Sequence, residues 1–87
     1  MISENNFFAN RLRSLRQSNG LTQKAVGEII GVKTQVINDM EHGRCKTSID
    51  RAIALAEHFK VSVDYLLGLV DDPSPENHEF AAFKNLG

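Results

Sequence analysis

The stretch GEIIGVK, residues 27–33, decides the fold, because it places two glycines four positions apart in an otherwise helical pattern. Each glycine costs about 1 kcal/mol relative to alanine in a helix interior. Where two helices cross through a short turn, position 27 would lie against the second helix, and a side chain larger than a methyl would push the helices apart. Four residues later the chain must leave the helix with positive φ. We therefore predict that Gly27 permits a close approach and that Gly31 makes the turn.

Apolar residues recur at intervals of three or four on both sides of this turn, which is typical of amphipathic helices. The pattern predicts five helices and no strand, over about Ser3 to Ser18, Thr22 to Gly31, Thr34 to His42, Ser48 to about Lys60, and Ser62 to Gly68. Serine or threonine at a helix start can accept hydrogen bonds from first-turn amides. We expect the inward positions to include Ile29 in the second helix and Ile49 in the fourth. Arg11 and Arg13 lie outside the apolar stripe of the first helix, and we expect them to be solvated.

Length and composition indicate one small soluble domain. The chain has 87 residues, of which 41% are hydrophobic and 24% are charged, close to the averages for globular proteins. No apolar run approaches the roughly 18 residues that a membrane span needs, and the first residues lack the pattern of a secretory signal. We expect a cytoplasmic protein with no membrane partner.

Charge is unevenly distributed along the chain. The net charge is −1, which by itself argues against a nucleic-acid partner. However, residues 1–69 carry nine basic against seven acidic side chains, whereas residues 70–87 carry one against four. Basic residues are concentrated between positions 11 and 46. We divide the chain into a domain at residues 1–69 and an acidic linker and tail at residues 70–87, which could contain a short helix.

The sequence offers no constellation for catalysis or metal binding. Cys45 is the one cysteine, and His42, His58 and His78 do not supply ligands at zinc spacing. No histidine has a paired acid or nucleophile nearby in the sequence. We predict no enzymatic activity, no metal, no cofactor and no small-molecule substrate, and we interpret Cys45 as a loop residue.

Two stretches carry a family resemblance: RLRSLRQSNGLTQKAVGEIIGVKTQVINDMEHG at residues 11–43 and TSIDRAIALAEHFKVSVDYLLG at residues 47–68. They resemble the helix-turn-helix domains of phage repressors and Cro proteins and of the related xenobiotic-response-element class of bacterial regulators. The resemblance implies an all-α, compact five-helix domain of the phage-repressor type, here followed by a short C-terminal tail. It also implies a transcriptional regulator, usually dimeric, that occupies an operator in double-stranded DNA.

The resemblance also assigns roles to individual residues. The third helix would face base edges in the major groove, where glutamine or asparagine can pair with adenine and aspartate can accept from cytosine. The expected base contacts are Thr34, Gln35, Asn38 and Asp39. The expected phosphate contacts are Gln23, Lys33, His42, Arg44 and Lys46. An ion pair between Arg16 and Glu41 would join the first and third helices.

Two residues depart from the family pattern. Lys33 stands where serine or threonine commonly caps the third helix, and lysine cannot accept the capping bond, so Thr34 could take over that role. Asp39 puts a negative charge on the proposed DNA face, where it either reads a cytosine or is turned aside. Asp39 and the weak basicity favour an alternative function, a protein-interaction module such as an antitoxin or anti-repressor.

Phe80 and Phe83 make the tail a candidate for association. Exposed on a small monomer, these side chains would be a liability, so they either pack back on the domain, join a dimer interface or belong to a disordered acidic end. We favour association. A homodimer would place two recognition helices about 34 to 36 Å apart and would read a nearly palindromic operator.

Overall fold

The computed structural model describes residues 4–74, and in this part of the chain it contains five helices and no strand. The helices are α1 at Glu4–Ser18, α2 at Gln23–Ile30, α3 at Thr34–Glu41, α4 at Ile49–Phe59 and α5 at Val63–Leu66. The predicted all-α architecture is thus confirmed, while α2 and α3 end one residue earlier and α5 two residues earlier than expected. The cap expected at Ser3, and the tail with Phe80 and Phe83, lie outside the described residues.

Hydroxyl caps fix three of the helix starts. Thr22 Oγ1 accepts from the amide of Ala25 at 3.0 Å. The hydroxyls of Ser48 and Ser62 accept in the same way before α4 and α5, at 3.2 and 2.9 Å. Each bond satisfies an amide of the first turn that has no partner within the helix.

The core receives side chains from all five helices. Its buried members are Phe8, Leu12, Val26, Ile37, Met40, Ala52, Leu55, Ala56, Phe59, Val63 and Leu66. Burying one large aliphatic or aromatic side chain contributes about 1.5 to 3 kcal/mol. In α3, Ile37 and Met40 are completely buried, so the opposite side of this helix is the one left to face solvent.

Two of the expected inward positions are wrong. Ile49 is 52% exposed, because it is the first residue of α4 and precedes by one turn the residues that this helix buries. Ile29 is 37% exposed. Val26, Gly27 and Ile30 define the inward arc of α2, and at about 100° per residue Ile29 lies roughly 110° from the centre of that arc.

The segment after α5 stays on the domain as far as Pro73. The amide of Ser62 donates to the carbonyl of Pro73 at 3.0 Å, and Arg11 Nη1 donates to the carbonyl of Val70 at 2.8 Å.

None of the helices in residues 4–74 combines the length and the apolar character needed to cross a membrane.

The expectation that Arg11 is solvated is wrong. Its side chain is 19% exposed and lies 4.0 Å from the ring centroid of Tyr65. Arg11 Nη1 also donates to the carbonyl of Tyr65 at 2.7 Å, and Nη2 donates to Asp71 Oδ1 at 3.1 Å. These partners are 54 to 60 residues away in the chain, so helical periodicity within α1 could not indicate them.

Candidate nucleic-acid interface

The turn between α2 and α3 is built around two glycines. Gly31 has φ 73° and ψ 35°, in the left-handed region, where it ends α2. Its amide donates to the carbonyl of Gly27, and the amide of Val32 donates to the same oxygen at 2.8 Å. The two bonds close the turn and set the direction in which the chain enters α3.

Gly27 permits a close approach, but the nearest neighbour differs from the one that the sequence predicts. A Cβ atom at this position would lie 2.7 Å from the backbone oxygen of Val32 and 3.5 Å from Ile37 Cγ1. The first contact is therefore with the turn and the second is with α3. Because 2.7 Å is shorter than any normal carbon–oxygen contact, even a methyl group requires the backbone to shift.

An ion pair joins the C-terminal end of α3 to α1. Arg16 Nε donates to Glu41 Oε2 at 2.6 Å, and Nη2 donates to Oε1 at 3.1 Å. The Glu41 side chain is 2% exposed and that of Arg16 is 15% exposed. The hydrogen bond to Glu41 raises the pKa of Arg16 above its ordinary value and outweighs the opposing effect of burial. The raised pKa reflects the favourable contact of the charged guanidinium with Glu41, and this contact links α3 to α1.

Gln23 lies beside this pair. Its Nε2 donates to Glu41 Oε1 at 3.1 Å, and its Oε1 accepts from Asn38 Nδ2 at 3.5 Å. The first residue of α2 thus connects the buried carboxylate with the outer face of α3. The sequence predicts Gln23 as a phosphate contact, and the side chain is half-buried at the junction of α2 and α3.

The outer face of α3 is polar and accessible. Thr34 and Gln35 are exposed, whereas Asn38 and Asp39 are half-buried. Lys33 precedes the helix with φ −74° and ψ 156°, and its side chain makes no capping bond. Thr34 is the first helical residue and does not take over as the cap, so α3 begins without the hydroxyl cap that α2, α4 and α5 have.

Asp39 is turned along the surface of α3 toward two neighbouring side chains. Gln35 Nε2 donates to Asp39 Oδ1 at 3.0 Å. Arg44 Nη1 lies 3.5 Å from the same oxygen and 3.5 Å from Asn38 Oδ1. The spacing of Gln35 and Asp39 at i and i+4 could have indicated this contact from the sequence.

Exposed basic side chains lie at both ends of α3. Lys33 comes before the helix, and His42, Arg44 and Lys46 come after it. The His42 ring lies with Nδ1 2.8 Å from the carbonyl of Asn38, which leaves Nε2 as the ring nitrogen available to another partner. Within residues 4–74 no group of three metal-binding side chains occurs.

The arrangement is that of a helix-turn-helix unit, in which α2 supports α3 and α3 presents a polar face. The family model described as Helix-turn-helix matches residues 12–66 of the chain. The chain therefore belongs to the helix-turn-helix family, and the resemblance noted in the sequence is confirmed.

Two curated relatives are transcriptional regulators of the helix-turn-helix type. YobD of Bacillus subtilis is 39% identical over 69 residues, which are 79% of this chain and 62% of YobD. PrpR of Mycobacterium tuberculosis is 34% identical over 59 residues, which are 68% of this chain and 12% of PrpR. The chain thus spans less than two thirds of the length of either relative.

Several solved structures share the fold. The P22 c2 repressor, crystallised with a synthetic operator, superposes with a TM-score of 0.69 and 26% identity, covering 74% of this chain and 97% of the repressor. The restriction-modification controller protein C.AhdI of Aeromonas hydrophila gives a TM-score of 0.67 and 25% identity, covering 75% of this chain and 98% of C.AhdI. A transcriptional regulator of Listeria innocua gives a TM-score of 0.70 and 28% identity, covering 91% of this chain and 71% of the regulator.

Proposed function

We propose that the chain is a sequence-specific DNA-binding repressor that reads the major groove with α3. The observation that carries the proposal is the accessible polar face of α3, bounded by basic residues before and after the helix. An α-helix fits the width of the major groove, and polar side chains on its outer face reach the base edges there. The P22 c2 repressor, which shares this fold, was crystallised with a synthetic operator.

Base preference would come from the first two turns of α3. Thr34 and Gln35 are exposed at its start, and Asn38 follows one turn later. The threonine methyl suits the methyl group of thymine, and the two amides suit the acceptor and donor of adenine. Asp39 belongs to the same face.

Position on the duplex would come from the surrounding cations and hydrogen-bond donors. Lys33, Arg44 and Lys46 are exposed and carry charges that phosphates attract, and the exposed His42 ring is a further candidate beside them. The start of α3 adds to this, because Lys33 makes no side-chain cap and the positive end of the helix dipole favours an anion. Gln23 contributes at the N-terminus of α2, where it also supports Asn38.

The protein would act as a homodimer on a nearly palindromic operator. Two copies of α3 placed one helical turn of duplex apart, about 34 to 36 Å, would contact two half-sites on one side of the DNA. The tail with Phe80 and Phe83 is the segment we propose for self-association. Sedimentation of a chain that lacks residues 75–87 tests this, and an unchanged mass would rule the tail out.

Selection of bound duplexes from a random pool tests the central proposal. We expect an enriched site with two inverted half-sites. Gln35→Ala should relax the preference at one base step at a cost of about 1 to 3 kcal/mol, whereas Lys46→Ala should weaken all sequences alike. Arg51→Ala is a matched control, because Arg51 is an exposed cation on α4 that is not among the proposed contacts.

A salt titration separates DNA binding from the alternative of a protein-interaction module. Each phosphate that the protein neutralises lowers log K by about 0.9 per log unit of salt. We expect a steep slope that becomes shallower by about one phosphate in Lys46→Ala and is unchanged in Arg51→Ala. A shallow slope in the natural chain, together with no enriched duplex, would favour the interaction module.

A further inference from the structure

The carboxylate of Asp39 has no evident use on a surface that is proposed to meet DNA. The side chain is half-buried, with 32% of its surface exposed. The neighbouring residues proposed to bind phosphate are neutral or basic, so Asp39 is the one acidic side chain among them. Its Oδ1 accepts from Gln35 Nε2 at 3.0 Å and lies 3.5 Å from Arg44 Nη1. These contacts engage the carboxylate within the surface of the protein, and they indicate a role that acts on Gln35.

Asp39 distinguishes between the two ends of the Gln35 amide. A glutamine side chain has one oxygen that accepts and one nitrogen with two hydrogens, whereas an ionised carboxylate only accepts. The amide must therefore turn Nε2 toward Asp39, because the reverse orientation would place two acceptors face to face. One N–H of Gln35 is then used by Asp39, and one N–H and Oε1 remain.

The remaining groups match one purine better than the other. In the major groove adenine presents an acceptor at N7 and a donor at N6, whereas guanine presents two acceptors at N7 and O6. One N–H beside one oxygen is complementary to adenine. Against guanine, the same amide would set Oε1 against O6 and would have no second donor to offer.

We propose that Asp39 is a positioning residue that restricts Gln35 to adenine and does not itself contact a base. The inference rests on the proposed function, since it concerns how α3 reads DNA. It differs from the sequence-based expectation that Asp39 is itself a base contact, for example to cytosine.

Arg44 explains how a negative charge can be kept at this place. Its guanidinium lies 3.5 Å from Asp39 Oδ1 and 3.5 Å from Asn38 Oδ1. The neighbouring positive charge reduces the repulsion that Asp39 would exert on a phosphate. The carboxylate can therefore orient Gln35 at a small cost in overall affinity.

The test is a cycle of four proteins, namely the natural chain, Gln35→Ala, Asp39→Ala and the double variant, each used in duplex selection. The base step that Gln35→Ala relaxes identifies the position that Gln35 reads. At that step we expect the natural chain to prefer adenine over guanine by a factor within about 5 to 150. Asp39→Ala should lower this factor several-fold, because the released amide keeps its own fit to adenine but can also turn its Nε2 toward guanine.

The double variant decides whether Asp39 acts through Gln35. If it does, Asp39→Ala changes no base preference once Gln35 is alanine, and only the affinity for all duplexes rises with the loss of a negative charge. Glu28→Ala is the matched control, because it removes a negative charge from an exposed position in α2 and should leave the ratio of adenine to guanine unchanged. Thermal unfolding of each variant shows that it is folded.

The outcomes separate this inference from the proposed function. A natural chain that enriches no sequence overturns both. An enriched site at which Asp39→Ala keeps the full adenine preference of the natural chain overturns the inference alone. Asp39→Ala could instead change the base preference at a different base pair, or change it even when Gln35 is already alanine. Either result shows that Asp39 reads a base directly, and it also overturns the inference.

Discussion

Helix α3 carries two arginine–carboxylate pairs that differ in almost every physical respect. Glu41 accepts from Arg16 at 2.6 and 3.1 Å, and its side chain is 2% exposed. Asp39 lies 3.5 Å from Arg44, with side-chain exposures of 32% and 61%. The two carboxylates are two residues apart, which at about 100° per residue places them on opposite sides of the helix.

The difference shows that burial, and not the identity of the two charged groups, decides what such a pair does. Around Glu41 little water is available to replace a lost partner, so removing that partner strands a charge at a cost of about 3 to 5 kcal/mol. An exposed pair is worth about 0 to 1 kcal/mol, because water and salt screen it. The inner pair, Arg16 and Glu41, therefore fixes the position of α3. The outer pair, Asp39 and Arg44, can be altered without loss of the fold.

The largest expected effect follows from breaking the inner pair. Arg16→Ala should lower the free energy of unfolding by about 3 to 5 kcal/mol, because the buried Glu41 keeps only the bond from Gln23. Glu41→Ala should cost less, since Arg16 is 15% exposed and still donates to the carbonyl of Leu21 at 3.0 Å. Urea unfolding measures both values.

A double replacement by apolar residues sharpens this prediction. Arg16→Met combined with Glu41→Leu should be less destabilising than Arg16→Ala alone, because no charge is left without a partner. A urea midpoint that does not move in Glu41→Ala would show that the pair does not hold α3 in place. A larger loss for Glu41→Ala than for Arg16→Ala would show that the arginine is the costlier charge to strand.

Arg11 provides an intermediate case between the two pairs. Its partners include two backbone carbonyls, of Tyr65 and Val70, at 2.7 and 2.8 Å. Hydrogen bonds from a charged donor contribute about 1.5 to 3 kcal/mol, so we expect Arg11→Ala to destabilise the domain by about 2 kcal/mol. Arg13→Ala is the matched control, because Arg13 donates to Asn10 Oδ1 on the same helix and should change stability by less than about 0.5 kcal/mol.

Amide hydrogen exchange locates the effect of Arg11→Ala. We expect the loss of protection to concentrate in Ser62, whose amide donates to Pro73, and in the residues that follow α5. Equal stabilities of the Arg11→Ala and Arg13→Ala proteins would contradict the role assigned to Arg11. They would show that the segment from Val70 to Ser74 is held by other contacts.

Local signals allowed most of the fold to be predicted from the sequence. Thr22, Ser48 and Ser62 cap helices as expected, because a cap depends on residues within one turn. The spacing of apolar residues predicted all five helices, but it wrongly predicted that Ile29 and Ile49 face inward. Whether a residue at the edge of a stripe is covered depends on the neighbouring helix, and periodicity carries no information about that neighbour.

For the candidate site, too, the sequence indicated the residues that share a helix face but not the contacts between distant elements. The sequence and the family resemblance indicate which residues lie on the outer face of α3, because helical geometry fixes that face. They do not indicate that Gln23 bridges Glu41 and Asn38, or that Arg11 binds a segment more than 50 residues away. Such contacts depend on how distant elements pack, which no local pattern specifies.

The smallest expected effect on stability concerns the outer pair. Arg44→Ala should change the free energy of unfolding by less than about 0.5 kcal/mol, because 61% of its side chain is exposed. A double-mutant cycle with Asp39→Ala should give a coupling energy of at most about 1 kcal/mol that falls as salt is raised. The same cycle on Arg16 and Glu41 should depend much less on salt, since water and ions do not surround Glu41.

DNA affinity should rank the two pairs in the opposite order to stability. Arg44→Ala should weaken binding to all duplexes alike and reduce the slope against salt by about one phosphate, because Arg44 is an accessible cation beside α3. In conditions where it remains folded, the apolar double variant at positions 16 and 41 should keep the natural base preference, since neither residue belongs to the surface that we propose meets DNA. An altered preference in that folded variant would show that the inner pair also tunes the angle of α3, and the division between a supporting and a reading face would no longer hold.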